Sequence, residues 1–194
     1  MPIATPPARR VPDVRARRHA LPGDVIARAR RVRLVLLDAD GVLTADRILV
    51  DAAGRELRAV SRRDLVAIRL LIDGGVRVAL MAERRAGVAR LARIVRVDAV
   101  VERRTTGVAA ARRLCRRWRL APAEMAYVGG ELLDQPLFAV AGLAVSVADA
   151  ARGVRRHVHW TTTAPGGAGA IREVAELVLQ AQGKWASVVG ERMR

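Results

Sequence analysis

Short apolar runs alternate along this chain with segments in which apolar residues recur every three or four positions. The run Leu34–Leu37 is continuous and apolar, which is typical of a parallel strand covered on both faces. Further along, Leu65, Ile68, Leu71 and Ile72 have the spacing of one helix face. The same alternation continues towards the C-terminus, and it predicts strands that are separated by helices.

The predicted strands cover 34–37, 76–81, 98–101, 125–128, 143–145 and 158–160, and the predicted helices cover 25–30, 64–72, 82–94, 105–118, 132–140, 149–155 and 170–182. Thr105 or Thr106 is placed to cap its helix. Strands and helices that alternate at this spacing imply a parallel sheet with right-handed crossovers. The predicted fold class is therefore α/β, with a doubly wound parallel sheet.

One insertion interrupts the alternation, between the first strand and the first long helix. Residues 47–50 and 56–60 flank the four-residue turn Asp51-Ala-Ala-Gly54, whose last residue is glycine. This is the pattern of a β-hairpin. We expect a small β-hairpin flap at 47–60 and no large cap domain.

The chain has 194 residues, enough for one domain of roughly 150 residues with tails. We expect a basic, disordered arm at 1–22, a domain at 23–185 and a C-terminal tail at 186–194. No apolar run approaches the ~20 residues of a membrane span, and the N-terminus lacks the apolar region of a secretory signal. The single Cys115 fits a reducing compartment, so we expect a cytoplasmic protein.

The formal net charge of +16 raises the question of nucleic-acid binding. Lys184 is the only lysine, however, and the arginines are spread along the whole chain with few aromatic neighbours. A GC-rich coding bias explains this composition at least as well. We therefore rank nucleic-acid binding well below the other functions, although an anionic substrate would still gain from the field.

Candidate chemistry lies at the end of the first strand, at Asp38-Ala-Asp40-Gly41. Asp and Gly are also ordinary turn residues, so the pair alone leaves a plain loop as an alternative. Ligands of open α/β sheets nevertheless bind outside the carboxyl ends of the strands, where these two carboxylates fall.

Several motifs together resemble one family. Asp-x-Asp-Gly-Val-Leu-Thr44, Tyr127-Val-Gly-Gly-Glu-Leu-Leu-Asp134, Gly142-Leu-Ala-Val-Ser-Val-Ala-Asp-Ala150 and Gly166-Gly-Ala-Gly-Ala-Ile-Arg-Glu173 are similar to motifs of the haloacid dehalogenase-like (HAD) phosphatases. The resemblance is greatest to the 3-deoxy-D-manno-octulosonate 8-phosphate (KDO 8-phosphate) phosphatases and extends from about Arg31 to Trp185. It implies a HAD-like fold and a small phosphorylated sugar acid as substrate. It also implies a homotetramer assembled through the hairpin 47–60.

The resemblance also implies roles for individual residues. Asp38 would attack phosphorus, and Asp40 would act as general acid and base and offer its backbone carbonyl to Mg²⁺. Thr44 would brace the loop. The positions singled out for substrate binding are Thr44, Arg63, Arg84, Arg104 and Arg172, and Arg172 has the alternative of pairing with Glu173 or Glu176 along its helix. Asp38 and Asp40 would hold Mg²⁺ with Glu131 as a substitute ligand, and Asp134 would lie behind these ligands or cap the following helix.

Other positions depart from the family pattern. Ala82-Glu83-Arg84 stands where the family has Thr-Gly-Arg, Gly107 falls at its phosphate-binding lysine, and Gly130 falls at an aspartate that binds Mg²⁺. Ala168 likewise replaces an arginine. Arg103, Arg104 or Arg112 would have to stand in for the lysine, and Glu131, with one more methylene, for the aspartate.

Two hypotheses follow from these departures. The first is a Mg²⁺-dependent phosphomonoesterase that acts on a sugar-acid phosphate through an aspartyl-phosphate, with an impaired rate. The second is a catalytically degenerate domain that serves as an oligomeric scaffold or binds a phosphorylated ligand. Metal-dependent hydrolysis that requires Asp38 would distinguish the first from the second.

Overall fold

The structure is a computed structural model that describes residues 21–83, 85–103 and 107–192. Most of the predicted arm 1–22 lies outside these residues, as do Thr105 and Thr106. The helices are α1 (Gly23–Arg30), α2 (Arg62–Asp73), α3 (Arg85–Val95), α4 (Val108–Arg117), α5 (Gln135–Val140), α6 (Ala170–Ala181) and α7 (Trp185–Arg192). The strands are β1 (Leu34–Asp38), β2 (Leu49–Val50), β3 (Glu56–Leu57), β4 (Arg77–Ala82), β5 (Ala99–Glu102), β6 (Met125–Gly129), β7 (Leu143–Ser146) and β8 (Trp160–Thr161).

Six strands form one parallel sheet in the order β5-β4-β1-β6-β7-β8. The chain runs outward from β1 through β4 and β5, then returns to the other side of β1 for β6, β7 and β8. The α/β, doubly wound prediction is therefore confirmed. A sheet of this kind has its ligand crevice where the strand order reverses, at the carboxyl end of β1.

The sheet has an apolar core on each face because its strand residues alternate between the two sides. Val35, Leu37 and Leu80 pack on the side of α1, α2 and α6, and Leu36 and Met81 pack on the side of α4 and α5. All five residues of β1 are buried. Asp38, the last residue of β1, is therefore held in place from both faces of the sheet.

The β-hairpin is present, but its strands are shorter than the predicted segments 47–50 and 56–60. Leu49 pairs with Leu57 and Val50 with Glu56, and an isolated bridge joins Thr44 to Val60. The hairpin residues are exposed, and an isolated two-stranded ribbon has little to stabilise longer pairing.

Two predicted helices need correction. Ala82 is the last residue of β4, paired with Glu102, so the helix predicted at 82–94 begins only at Arg85. The helix predicted at 149–155 is absent from this described stretch, which contains instead a short turn, Val154–His157, after Gly153 with φ of 90°.

The predicted C-terminal tail 186–194 overlaps α7, which covers Trp185–Arg192. Val188 of this helix packs into the core on the side of α1, α2 and α6. Across the described part of the chain, none of the helices combines the length and the apolar character that crossing a membrane would need.

Candidate active site

Asp38 ends the central strand and begins a wide turn, Ala39–Leu43, at the crevice of the sheet. Gly41 has φ of 75° in this turn, a conformation that glycine adopts without strain. The backbone N–H and the Oγ1 hydroxyl of Thr44 both donate to the carbonyl of Ala39, each at 3.1 Å. Thr44 therefore closes the turn that carries Asp40.

Asp40 lies at the entrance of the crevice, with its side chain 44% exposed. Its carboxylate forms an ion pair with Arg58, which directly follows β3 of the hairpin. The hairpin is thus connected to the Asp40 turn at two places, by this ion pair and by the Thr44–Val60 bridge. Sequence reasoning did not identify Arg58, because the arginines of this chain are too numerous for a single one to stand out.

Arg103 provides the positive charge next to Asp38. Its Nη2 donates to Asp38 Oδ2 at 2.9 Å, to Asp134 Oδ1 at 2.7 Å and to the Tyr127 hydroxyl at 2.9 Å. The side chain is only 9% exposed. Burial would lower the pKa of Arg103, but Tyr127, Asp38 and Asp134 raise it above its ordinary value, so Arg103 stays charged.

Asp134 is fully buried beneath the site and uses both oxygens within the protein. Oδ1 accepts hydrogen bonds from Arg103 and from the Tyr127 hydroxyl, the latter at 2.7 Å. Oδ2 accepts the backbone N–H groups of Gly130 and Glu131, each at 2.9 Å. Asp134 therefore braces the loop after β6 and has little capacity left for a metal ion.

A pocket of about 580 Å³ opens above these groups. Asp38, Asp40 and Thr44 line it, together with the basic residues Arg47, Arg58 and Arg103. Glu131 and Glu83 also line it, and both are exposed. The structure therefore brings the two predicted carboxylates into a single cavity, with an arginine bound to each of them.

The remaining predicted binding residues lie elsewhere or outside the described residues. Arg84 and Arg104 are not among the described residues. Arg63 is exposed on α2, and Arg172 pairs with Glu176 at 2.6 Å and stacks on the ring of Trp185 at 4.9 Å. Neither Arg63 nor Arg172 lines the pocket within this chain.

The departures from the family pattern have clear structural counterparts. Ala82 is buried against Ala39 and Val88 and offers no hydrogen-bond donor. Gly107 is buried with φ of 71°, and a Cβ added there would lie 2.7 Å from Met81 Sδ and 3.1 Å from Leu137 Cδ1. A side chain at position 107 would therefore be strained and would require Met81 to shift, whereas Arg103 reaches Asp38 from the end of β5.

Gly166 and Gly167 pack against the backbone of the Asp40 turn. A Cβ at Gly166 would overlap the carbonyl oxygen of Gly41, and Gly167 N donates to the carbonyl of Val42 at 2.8 Å. The buried Asp64 holds this glycine segment by accepting the N–H groups of Gly169 and Arg172, each at 2.9 Å. The sequence motif at 166–173 is therefore part of the support of the site.

Burial dominates the acidity of Asp38. Desolvation raises the pKa of its carboxyl to about 7, while Arg103 and the Ala39 N–H oppose the rise and Asp134 and Glu83 add to it. In the unfolded chain the pKa is 3.8. The folded protein therefore binds this proton more tightly, and stability is lost as the pH rises from about 4 to about 7.

Asp38→Asn is expected to raise the free energy of unfolding by about 3 kcal/mol at pH 8 and by little at pH 4. The asparagine removes a buried charge but keeps the shape of the side chain. Urea unfolding at both pH values, with EDTA present so that no metal ion neutralises the carboxylate, measures this difference. Equal stabilities at pH 8 would contradict the burial argument.

Comparison with known proteins places this chain in a family. The chain is 36% identical over 168 residues to the 3-deoxy-D-manno-octulosonate 8-phosphate phosphatase KdsC of Yersinia pestis, covering 86% of this chain and 90% of that protein. The chain belongs to the KDO 8-phosphate phosphatase family of the HAD superfamily. No protein-family model matches the chain.

Solved structures agree with this assignment. The Moraxella catarrhalis KDO 8-phosphate phosphatase, in complex with magnesium ion, phosphate ion and KDO, has a TM-score of 0.82 at 26% identity, covering 87% of this chain and 98% of that one. The cobalt-bound deoxy-D-mannose-octulosonate 8-phosphate phosphatase of Haemophilus influenzae has a TM-score of 0.76 at 30% identity, covering 81% and 92%. The fold of the family therefore extends over nearly the whole described chain.

Among the described residues of the pocket lining, the carboxylates of Asp38 and Glu131 and the backbone carbonyl of Asp40 are oxygen ligands that a divalent metal ion could use. Among the described residues, no three acidic, histidine or cysteine side chains form a metal cluster. Mg²⁺ is commonly held by one or two carboxylates with water and substrate phosphate, and these residues fit that kind of site.

Proposed function

We propose that this protein hydrolyses the phosphomonoester of a KDO 8-phosphate type sugar acid, slowly, through an aspartyl-phosphate on Asp38. The observation that carries the proposal is the position of Asp38 and Asp40 in one pocket, with Arg103 bound to Asp38. Membership of the phosphatase family supports the reaction class. A solved relative in complex with phosphate and KDO supports the substrate class.

The two carboxylates have complementary tasks in this reaction. An Asp38 oxygen attacks phosphorus and the ester P–O bond breaks, while Asp40 gives its proton to the departing sugar oxygen. Asp40 then takes a proton from water, whose oxygen attacks the aspartyl-phosphate. Phosphate leaves and Asp38 is regenerated. The exposure of Asp40 beside buried Asp38 supports this division, since the proton donor must reach both the substrate and water.

Arg103 takes the place of the family lysine in this proposal. It binds Asp38 and lines the pocket, and in this proposal its guanidinium would neutralise charge on the transferring phosphoryl group. Arginine presents a planar fork and not a compact ammonium, so the contact differs in shape from that of the family.

Magnesium is the proposed cofactor, held by Asp38, the carbonyl of Asp40, Glu131 and water. When bound, it would supply positive charge that orients and activates the phosphate group. Relatives with bound magnesium and cobalt support a divalent ion. With Gly130 in place of an aspartate, we propose that this ion is held weakly.

The proposed turnover is slow because two preorganised groups are missing. Ala82 cannot donate the hydrogen bond of a threonine, and Gly130 supplies no metal ligand. Loss of one such donor typically lowers a rate by about 10²–10³. Glu83 adds a negative charge at the rim of the pocket.

Hydrolysis of KDO 8-phosphate and a small panel of sugar phosphates, with Mg²⁺ and with EDTA, tests the proposal. We expect metal-dependent release of phosphate from wild-type protein and none above background from Asp38→Asn. The variant is purified identically, so that a contaminating phosphatase would appear equally in both samples. Turnover that survives Asp38→Asn would refute the assignment of the nucleophile.

A second candidate is a scaffold or phospho-ligand-binding protein, which the site losses at Ala82 and Gly130 favour. The hairpin carries exposed apolar residues, Ile48, Leu49, Val50 and Leu57, each more than half exposed. They support assembly through the segment 47–60 as a homotetramer. A folded oligomer that binds phosphate but gives no turnover above Asp38→Asn would favour this candidate over the first.

A further inference from the structure

The edge strand β5 is only partly covered on the face that points towards α4. The chain passes from β5 through α4 to β6, which lies on the other side of β1. α4 therefore runs back over the inner strands, and its Ala111 belongs to one core cluster with Leu36 and Met81. Ala99 and Val101 of β5 pack at the margin of this cluster and stay only half-buried. The edge of the sheet therefore keeps an uncovered apolar strip on this side.

An open groove of about 570 Å³ lies between α4 and the end of β5. Its described lining consists of three apolar residues and three arginines, Val101, Ala110, Leu114, Arg113, Arg116 and Arg117. The apolar side chains are buried or half-buried and form the floor, whereas the arginines are exposed and form the rim. The groove therefore combines an apolar surface with positive charge, and it shares no lining residue with the pocket at Asp38.

The rim arginines have no acidic partner in the part of the chain that the structure describes, and α4 itself contains no acidic residue. Other surface arginines do pair, Arg33 with Glu124 at 3.2 Å and Arg77 with Asp98 at 2.6 Å. Asp13 is the one acidic side chain outside the described ranges, so the rest of the chain cannot neutralise three arginines. The positive charge of the rim is therefore available to a ligand.

The spacing of the rim matches that of an extended chain. Arg113 and Arg117 are one helical turn apart on the same side of α4, with about 6 Å of rise between them. Side chains at alternate positions of an extended peptide are separated by about 6.6 Å. The Arg117 guanidinium also lies 6.0 Å from the ring of Trp118, a cation–π contact that limits its freedom. Successive carboxylates of an extended segment therefore meet arginines that are already partly positioned.

We propose that this groove binds an acidic, extended segment of a partner protein in which apolar and acidic residues alternate. Alternate side chains of an extended chain point to opposite faces, so one segment satisfies both surfaces of the groove. The apolar side chains cover the floor, and the carboxylates pair with the arginines of the rim. This surface is separate from the pocket at Asp38, so the binding does not depend on phosphatase activity.

Other occupants match the groove less closely. Nucleic acid would place phosphates on the rim, but it offers little to an aliphatic floor, and no aromatic residue lines the described groove for base stacking. Residues 1–20 of this chain are basic, and a second copy carries a formal charge of +16, so the rim repels both. An acidic segment of another protein has the charge and the apolar groups that the groove requires.

Fluorescence anisotropy with a short labelled peptide of alternating leucine and glutamate tests this directly. We expect saturable binding to the wild-type protein. Combining Arg113→Gln, Arg116→Gln and Arg117→Gln should weaken it about tenfold, since each exposed ion pair contributes a few-fold in affinity. Because the three side chains are exposed, urea unfolding should show little change in stability. Absence of saturable binding to the wild-type protein would overturn the proposal.

The combination of Arg90→Gln, Arg93→Gln and Arg96→Gln is the matched control. These exposed arginines lie on α3 or directly after it, and α3 packs against β5 on the face opposite the groove. The control removes the same charge from the protein, so the affinity for the peptide should change less than twofold. Equal losses in the two triple variants would show that overall charge governs binding, and the groove would lose its role.

Two further ligands test the chemistry of the occupant. A serine–glutamate peptide keeps every charge but has no apolar face, and it should bind about tenfold more weakly than the leucine–glutamate peptide. Equal affinity of the two peptides would mean that the floor takes no part, contrary to the proposal. An oligothymidylate of the same formal charge should also bind more weakly. If it binds more tightly and displaces the peptide, the groove is a nucleic-acid surface and the proposal is wrong.

Discussion

Replacing Arg103 by glutamine is expected to lower the free energy of unfolding by about 3 kcal/mol at pH 8. The substitution leaves Asp38 and Asp134 buried and facing each other without their shared positive charge. At pH 5 the loss should be smaller, because an uncompensated buried carboxyl takes up a proton more readily. Urea unfolding at the two pH values measures both effects.

A double-mutant cycle with Asp134→Asn assigns the loss to the ion pair. Because the two residues are in contact, the double variant should be clearly more stable than the sum of the single losses predicts. Arg103→Lys keeps the charge and should retain part of the stability. Simple additivity, or an Arg103→Gln loss that is the same at pH 5 and pH 8, would mean that Arg103 stabilises the protein by packing alone.

Gly166→Ala should reduce both stability and turnover. The added methyl group would overlap the carbonyl oxygen of Gly41, which is backbone and cannot rotate away. We expect a loss of about 3 kcal/mol in the free energy of unfolding from overpacking. Because the turn that holds Asp40 must shift, we also expect kcat to fall by about 10² in the folded enzyme.

Gly142→Ala is the matched control for this effect. A Cβ there would overlap the carbonyl oxygen of Ala123, another backbone clash at a position remote from the pocket. This variant should lose similar stability but keep the kcat of its folded fraction. If both variants keep wild-type kcat, the Gly166 contact does not position Asp40.

The fold and the carboxylate pair could be predicted because their signals are local. An apolar run followed by Asp38 and Asp40 identifies a buried strand and the polar end of that strand within a few residues. In a parallel sheet the carboxyl end of the strand is also the side on which ligands bind. The local sequence is therefore enough to predict that the carboxylates of Asp38 and Asp40 lie at the ligand crevice of the sheet.

Arg103 could not be singled out, because its contact with Asp38 spans 65 positions along the chain. The charge pattern of the sequence does not distinguish Arg103 from Arg104 or Arg112. The pairing of β4 with β5, the backbone bond from Arg103 N to the carbonyl of Ala82, and the left-handed Gly107 together select the position of Arg103. These are properties of the folded chain.

The missing helix at 149–155 has a similar cause. Asp149 is used to accept the N–H of Gly166 at 2.9 Å, and Gly153 adopts φ of 90°, which no α-helix contains. The tertiary contact with the glycine segment takes precedence over local helix propensity. The bond between Asp149 and Gly166 belongs to the support of the Asp40 turn, because Gly166 packs against the backbone of that turn.

The burial of Asp38 affects which residue at position 38 gives the more stable protein. A carboxyl whose pKa is about 7 in the fold makes the protein less stable at neutral pH than an asparagine of the same shape would. Aspartate and asparagine codons differ by a single nucleotide, so mutation offers this exchange continually. A lineage released from chemistry at this position would drift towards the more stable residue. The aspartate found here is therefore a residue that the stability of the fold alone does not favour at neutral pH.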